Sequence, residues 1–301
     1  MASASEAGGA RRADDVVLPF QVEGLNIRGR LARLGPALDT ILRQHAYPRP
    51  VSRLLGEALA LAAALGTSLK VEDGLFSIQA KGDGPVKLLV VDVNSEGHMR
   101  GYAQLAGRPV AADEQRLSKL IGKGQLAFTI DQGPDTERYQ GIVSLTDDSL
   151  SAAVDHYFRQ SEQLETRIVL AAGLGTAWRS AALMIQRLPG QSSDPDAWNR
   201  TLHLLQSLTE RELLDPGLSP EDILYRLFHA ERPRVFSTSG LEARCRCSRE
   251  RAIGALSLVP EEDLRDLLVD GRYVVTCQFC NMSHVFPEAE ARALRARAAG
   301  E

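Results

Sequence analysis

The chain has 301 residues, 44% hydrophobic and 25% charged, with a formal net charge of −4 and a pI of about 5.9. The length suggests about two domains, the composition is that of a soluble intracellular protein, and the acidic balance supplies no general attraction for nucleic acid. No stretch reaches the roughly eighteen uninterrupted apolar residues of a membrane span, and Met1 to Val16 lacks the apolar run of a secretion signal.

In chain order, residues 1–14 are rich in Ala, Ser, Gly and charge and are expected to be disordered. Their two arginines do not make a targeting signal beside Glu6, Asp14 and Asp15. Pro36 opens a short helix that ends before Pro48 and Pro50, and Val51 to Leu65 forms a second, alanine-rich one whose apolar part, Ala58 to Leu65, reads as buried. Strands follow at Leu75 to Ala80, Val86 to Val93 and His98 to Leu105, separated by the turn sequences beginning at Gly82 and Asn94, as in an antiparallel meander. Gln125 to Asp131 and Tyr139 to Leu145 form another hairpin around Gly133-Pro134. Asp148 is positioned to cap a helix running to about Gln160, and Arg167 to Ala171 is a further strand. Residues 15–190 are therefore expected to form an α+β domain, with helices packed on a mixed sheet.

From Gly190 the character changes. Gln191-Ser192-Ser193-Asp194-Pro195 is turn chemistry, and residues 191–240 read as a helical linker. Trp198, Leu202, Leu205 and Leu208 recur at helical spacing, as do Ile223, Leu224, Leu227 and Phe228 after Ser219-Pro220. Two amphipathic helices docked on a core account for this pattern.

All four cysteines lie close together near the end of the chain, Cys245 and Cys247 as C-x-C and Cys277 and Cys280 as C-x-x-C. Two chelating pairs joined by one chain reversal suit a tetrahedral zinc ion held by four thiolates, although the separation is longer and the first pair tighter than usual. Permanent disulfides suit an exported protein, and no secretion signal precedes them. A thioredoxin-like C-x-x-C starts a helix, whereas Val274, Val275 and Thr276 lead in as a strand and Val285-Phe286-Pro287 leads out as another. The pair therefore falls on a hairpin knuckle. Four buried thiols without metal are the remaining alternative. His284 is expected at the surface, since four thiolates already complete the shell.

Arg244, Arg246, Arg249 and Arg251 crowd the C-x-C. Positive charge favours the oxidisable thiolate, but it equally balances the negative charge of a tetrathiolate centre. A disulfide across C-x-C would close a short, strained ring and be easily reduced. Structural zinc contributes roughly 10–16 kcal/mol, against a typical domain stability of about 5–15 kcal/mol. A module of residues 241–287 is too small to fold on its core alone.

The stretches Arg234-Val235-Phe236, Cys245-Arg246-Cys247-Ser248-Arg249-Glu250-Arg251, Pro260-Glu261-Glu262-Asp263-Leu264, Val275-Thr276-Cys277-Gln278-Phe279-Cys280 and Val285-Phe286 resemble the zinc module of the redox-regulated heat-shock chaperones called 33 kDa chaperonins. The likeness extends to Arg28-Gly29-Arg30 in the first strand, Val91-Asp92-Val93 with Gly101-Tyr102-Ala103, and Gly173-Leu174-Gly175; residues 288–301 are a polar tail outside it, readable as a solvated helix. One departure is Asn281, where the family usually has glycine, and asparagine also tolerates a left-handed backbone.

The resemblance implies a cytoplasmic, ATP-independent holdase. One zinc per chain would be bound in the reduced state by Cys245, Cys247, Cys277 and Cys280. Oxidation would form Cys245–Cys247 and Cys277–Cys280 disulfides, release zinc, unfold the linker and let a homodimer bind unfolding client proteins. It assigns no catalytic residue and no client-binding residue. Signatures of nucleotide, zinc-protease and serine-hydrolase chemistry are missing, Gly173-Leu174-Gly175 lacks the third glycine of a dinucleotide loop, and the six histidines are dispersed. A thiol-disulfide oxidoreductase and a zinc-dependent nucleic-acid binder are the competing classes.

Overall fold

The computed structural model describes residues 14–67, 74–133, 136–189 and 194–298. The expectations for residues 1–13, for Pro134 in the hairpin loop and for the start of the linker at 190–193 lie outside the described residues. The chain packs as two compact units, Met1–Ala243 and Arg244–Glu301.

In the first unit, β1 (Val16–Val22) and β2 (Ile27–Leu34) form an antiparallel pair turned by Asn26 at φ 52°. Arg28-Gly29-Arg30 is thus in the second strand, not the first. Pro19 hides β1 from pattern reading, yet its carbonyl still accepts from the Phe236 N–H at 2.9 Å. Helix α1 (Pro36–Arg43) starts at the expected proline, and the Asp15 carboxylate accepts from the Gly35 and Ala37 N–H groups. The alanine-rich α2 (Arg49–Gly66) is buried on nearly every face. Such a helix belongs inside a domain, and it packs against strands of both large sheets.

The meander appears as β3 (Leu75–Gly82), β4 (Val86–Asn94) and β5 (His98–Leu105), and after the short α3 (Leu117–Leu120) the expected hairpin is β6 (Gly124–Asp131) with β7 (Tyr139–Ser144). Helix α4 (Leu150–Gln160) is capped by Ser149 rather than Asp148. The extended Ser149 accepts from the Ala152 N–H through its Oγ at 3.2 Å, whereas the Asp148 carbonyl accepts from Leu117 N–H and its carboxylate from the Ser118 hydroxyl. The strand expected at Arg167 to Ala171 is the centre of β8 (Thr166–Leu174), paired with β9 (Trp178–Arg187). Sequence reading missed β9 because it lies between β2 and β8 with Ser180 to Gln186 buried in an unbroken run, so it shows no alternation.

Helices α5 (Ala197–Gln206), α6 (Glu210–Leu214) and α7 (Pro220–Phe228) cover the face of the first sheet opposite α2. Leu205, Leu213, Ile223, Leu224, Leu227 and Phe228 are buried against Leu18, Phe20, Leu31, Leu183 and Ile185. Residues 194–240 of the expected linker thus pack within the first unit. Arg33, 1% exposed, fastens it: its guanidinium donates to the carbonyls of Asp215 (2.8 Å) and Leu218 and pairs with Asp14 at 3.2 Å.

Beyond α7 the chain runs along both sheets. β10 (Arg234–Val235) and β11 (Ser239–Gly240) pair with β1, and β12 (Glu242–Ala243) pairs with β5. The first sheet therefore has the order β10-β1-β2-β9-β8 with β11 also on β1, and the second β12-β5-β4-β3-β6-β7. Among the described residues only the β12–β5 pair is parallel. Gly97, at φ 84°, makes the close approach there: a Cβ would lie 2.1 Å from the Gly240 carbonyl oxygen.

The second unit contains α8 (Arg249–Ser257), α9 (Glu261–Leu264), a small sheet of β13 (Leu268–Val269), β14 (Arg272–Thr276) and β15 (Ser283–Pro287), and α10 (Glu288–Ala298). Its core is small: Ala252, Leu256, Leu264, Tyr273, Phe286 and Ala291 are buried. The tail is helical as expected, but not solvated all round, since Ala291 is fully buried and Glu290 pairs with Arg249 at 2.6 Å. The architecture is α+β, and no helix among the described residues is long and apolar enough to cross a membrane.

Candidate metal centre

The β14–β15 hairpin ends in the Thr276↔Ser283 pair, and the connection carries Cys277 and Cys280. Two hairpin-type bonds shape it, from Cys277 N–H to the Met282 carbonyl (2.9 Å) and from Asn281 N–H to the Cys277 carbonyl (2.8 Å). Asn281 takes φ 59°, the left-handed conformation that the sequence allowed for. This is a strand-bounded knuckle, not the helix start of a thioredoxin-like pair. The second arm, Cys245 and Cys247, enters just before Ser248, which caps α8 by accepting from Arg251 N–H at 3.2 Å.

All four sulfurs converge: their Sγ atoms lie within 4.8 Å of one another, with Cys245–Cys277 at 3.7 Å and Cys247–Cys280 at 3.3 Å. Thiolates about 2.3 Å from a tetrahedral ion stand about 3.8 Å apart, so the cluster is already near the size that a metal requires. Each cysteine is half-buried and free of disulfides.

Ionisation within the cluster also fits a cation. Burial pushes the Cys245 thiol up, but the Cys247 N–H and bonds from the other three sulfurs outweigh it and bring it below the ordinary range. Cys247 is held far above that range, first by burial and then by its bonds to Cys280 and Cys245. Cys280 is raised too, chiefly by burial. Four sulfurs this close cannot all carry charge alone, whereas a divalent ion would let every one ionise.

Burial and the neighbouring sulfurs lead these shifts, and two of the four arginines are engaged elsewhere. Arg249 lies over the Phe286 ring at 4.3 Å, donates to the Val285 carbonyl and pairs with Glu290, and Arg251 donates to the Arg246 carbonyl. The Ser248 cap places both in the first turn of α8, where they pack the module together. His284, expected at the surface, is half-buried with its Nε2 enclosed and unpartnered, because it shares the inward face of β15 with Phe286 while Ser283, Val285 and Pro287 face outward. Sequence spacing thus found all four sulfurs but not the Arg249–Phe286–Glu290 brace, whose residues come from three separate elements.

A family model described as Hsp33 protein matches residues 15–287. The chain belongs to the Hsp33 family. It is 40% identical over 282 residues to a 33 kDa chaperonin of Caulobacter vibrioides, covering 89% of this chain and 93% of that protein, and 39% identical over 289 residues to one of Ectopseudomonas mendocina, covering 94% and 95%. The crystal structure of a 33 kDa chaperonin from Thermotoga maritima is similar in fold, with a TM-score of 0.82 at 22% identity over 95% of this chain and all of that one. Membership in Hsp33 makes this a chaperone-family chain, and its clustered sulfurs can hold a metal ion.

Proposed function

We propose that this chain is a redox-regulated, ATP-independent holdase, with Cys245, Cys247, Cys277 and Cys280 as ligands of one zinc ion in the reduced state. The observation that carries the reading is the convergence of the four sulfurs within 4.8 Å in a unit with six buried core residues among the described ones. When bound, zinc would offset half of the charge of the four thiolates and supply roughly 10–16 kcal/mol of folding free energy to that unit.

The chain's own residues do the rest. Cys245 with Cys247, and Cys277 with Cys280, each form a disulfide as two thiolates give two electrons to peroxide, which takes up two protons and leaves as two waters. The sulfurs are then spent as ligands, and so small a core does not suffice to keep the unit folded. Its unfolding loosens the β10–β12 run and then α5–α7, and Ile223, Leu224, Leu227 and Phe228 become a surface for apolar segments of unfolding proteins. The active form is a cytoplasmic homodimer, and a thiol reductant returns the chain to its resting state.

The test is to treat the reduced protein with peroxide at mild heat and follow zinc release, free thiols and the aggregation of a denatured client. One zinc released per chain, four thiols lost and aggregation suppressed are expected. Unchanged zinc content, or the same response after serine replacement of all four cysteines, would overturn the proposal; catalytic turnover of insulin disulfides would point to an oxidoreductase instead.

A further inference from the structure

The face of the first sheet that carries α2 bears a polar row across five strands, set by the pairing registers: Arg234 in β10, Gln21 in β1, Arg28 in β2, Gln186 in β9 and Thr166 in β8. Beside it Arg30 stands opposite Met184. A sheet face packed on a helix is ordinarily apolar. Here α2 reaches its last turn, where Arg30 donates to the Ala64 carbonyl at 3.3 Å, and a cavity of about 200 Å³ opens between Arg28, Arg30, Gln186, Met184 and Phe236.

Its charge is unbalanced. Elsewhere in this unit Arg33, Arg100, Arg167, Arg179, Arg187 and Arg200 each face a carboxylate. Among the described residues, Arg28 and Arg30 have none: Arg28 Nε is held by Gln186 Oε1 at 3.2 Å, and Arg30 has only its carbonyl partner. Gln186 is itself fixed by donating to Thr166 Oγ1 at 3.3 Å, so the Arg28 fork is oriented with its terminal nitrogens unused. Burial and the neighbouring Arg28 charge both work against the charged form of Arg30. Arg234, paired with the lining residue Gln21, lies over the Phe236 ring at 5.3 Å and adds a third positive charge beside the aromatic wall.

We propose that this cavity binds a small organic oxyanion: a phosphoryl or carboxylate group seated on the guanidiniums of Arg28 and Arg30, with an apolar body against Phe236 and Met184. Guanidinium forks match the oxygen geometry of both groups. The anion supplies the countercharge that the sheet lacks. This site is independent of the sulfur cluster and of the reading of the chain as a redox-controlled holdase.

Calorimetric titration of the full-length reduced protein at low ionic strength tests this, with phenyl phosphate, phenylacetate and inorganic phosphate as probes. At least one aromatic probe should bind at one equivalent per chain, more tightly than inorganic phosphate and more weakly as salt is added. The tighter of phenyl phosphate and phenylacetate identifies the anionic group. Arg28→Gln, on an exposed side chain, should weaken binding at least tenfold, and Phe236→Ala should weaken the aromatic probe while sparing inorganic phosphate. No binding of either aromatic probe at millimolar concentration, or affinity unchanged in both Arg28→Gln and the Arg28→Gln/Arg234→Gln pair, overturns the assignment.

Discussion

Replacing Phe286 by alanine tests whether the small unit owes its fold to metal. Phe286 is wholly buried among Leu256, Leu264, Tyr273 and Ala291 and carries the Arg249 guanidinium on its ring. Its loss should cost about 3–5 kcal/mol in the core, with up to about 1 kcal/mol more from the cation–π contact. Roughly 10–16 kcal/mol from zinc exceeds that cost, so the zinc-loaded variant should remain folded. If the metal-free unit is unfolded, however, the mutation acts only on the bound state. The whole cost, about 4 kcal/mol, then appears as zinc affinity weakened by about three orders of magnitude, at 1.4 kcal/mol per decade. Anaerobic competition against a chromophoric chelator reads the affinity, and far-ultraviolet circular dichroism checks the loaded fold. An affinity within threefold of the parent, with the fold retained, would refute the reasoning by showing that folding and metal binding are not coupled. The same variant should release zinc at a lower peroxide concentration.

Arg33→Met should strand the Asp215 and Leu218 carbonyls and part of the Asp14 carboxylate, a loss of about 3–5 kcal/mol for a broken buried pair. Limited proteolysis between α5 and α7 should accelerate and client aggregation should be suppressed without oxidant; parental resistance to protease would show that Arg33 does not hold these helices. Asp155 gives a pH signature. Burial, against the bonds from Arg167 and Ile168 N–H, raises its carboxyl to about 6, above the unfolded value of about 3.9. A group raised on folding stabilises fully below its unfolded value and loses that contribution as pH climbs through the folded one. The parent should therefore lose about 3 kcal/mol relative to Asp155→Asn between about pH 4 and pH 7, measured from urea midpoints, and a pH-independent difference would show that Asp155 titrates normally.

Several features were legible in the chain because the physics that sets them is local. Pro36 fixed a helix start, the Gly- and Asn-led turns fixed the meander, and Ser219-Pro220 marked the start of α7. Other features were hidden. β9 carries no period because both its faces are covered, and β10 to β12 are two-residue strands that exist only through partners distant in sequence. Arg249 looked like a neighbour of sulfur because it is two positions from Cys247, but the α8 cap turns its side chain onto Phe286.

By itself the sequence determined the sulfur set, because chelation by one small ion demands closely spaced donors in pairs, and that demand is written in the spacing. Only the tertiary structure decided which charges matter. It gave the Arg249 charge to an aromatic ring, buried Arg33 under the α6–α7 turn, and left Arg28 and Arg30 facing a cavity without a countercharge. Charge acts through space over several ångströms, and the partners that satisfy or deny it arrive from strands and helices far apart along the chain.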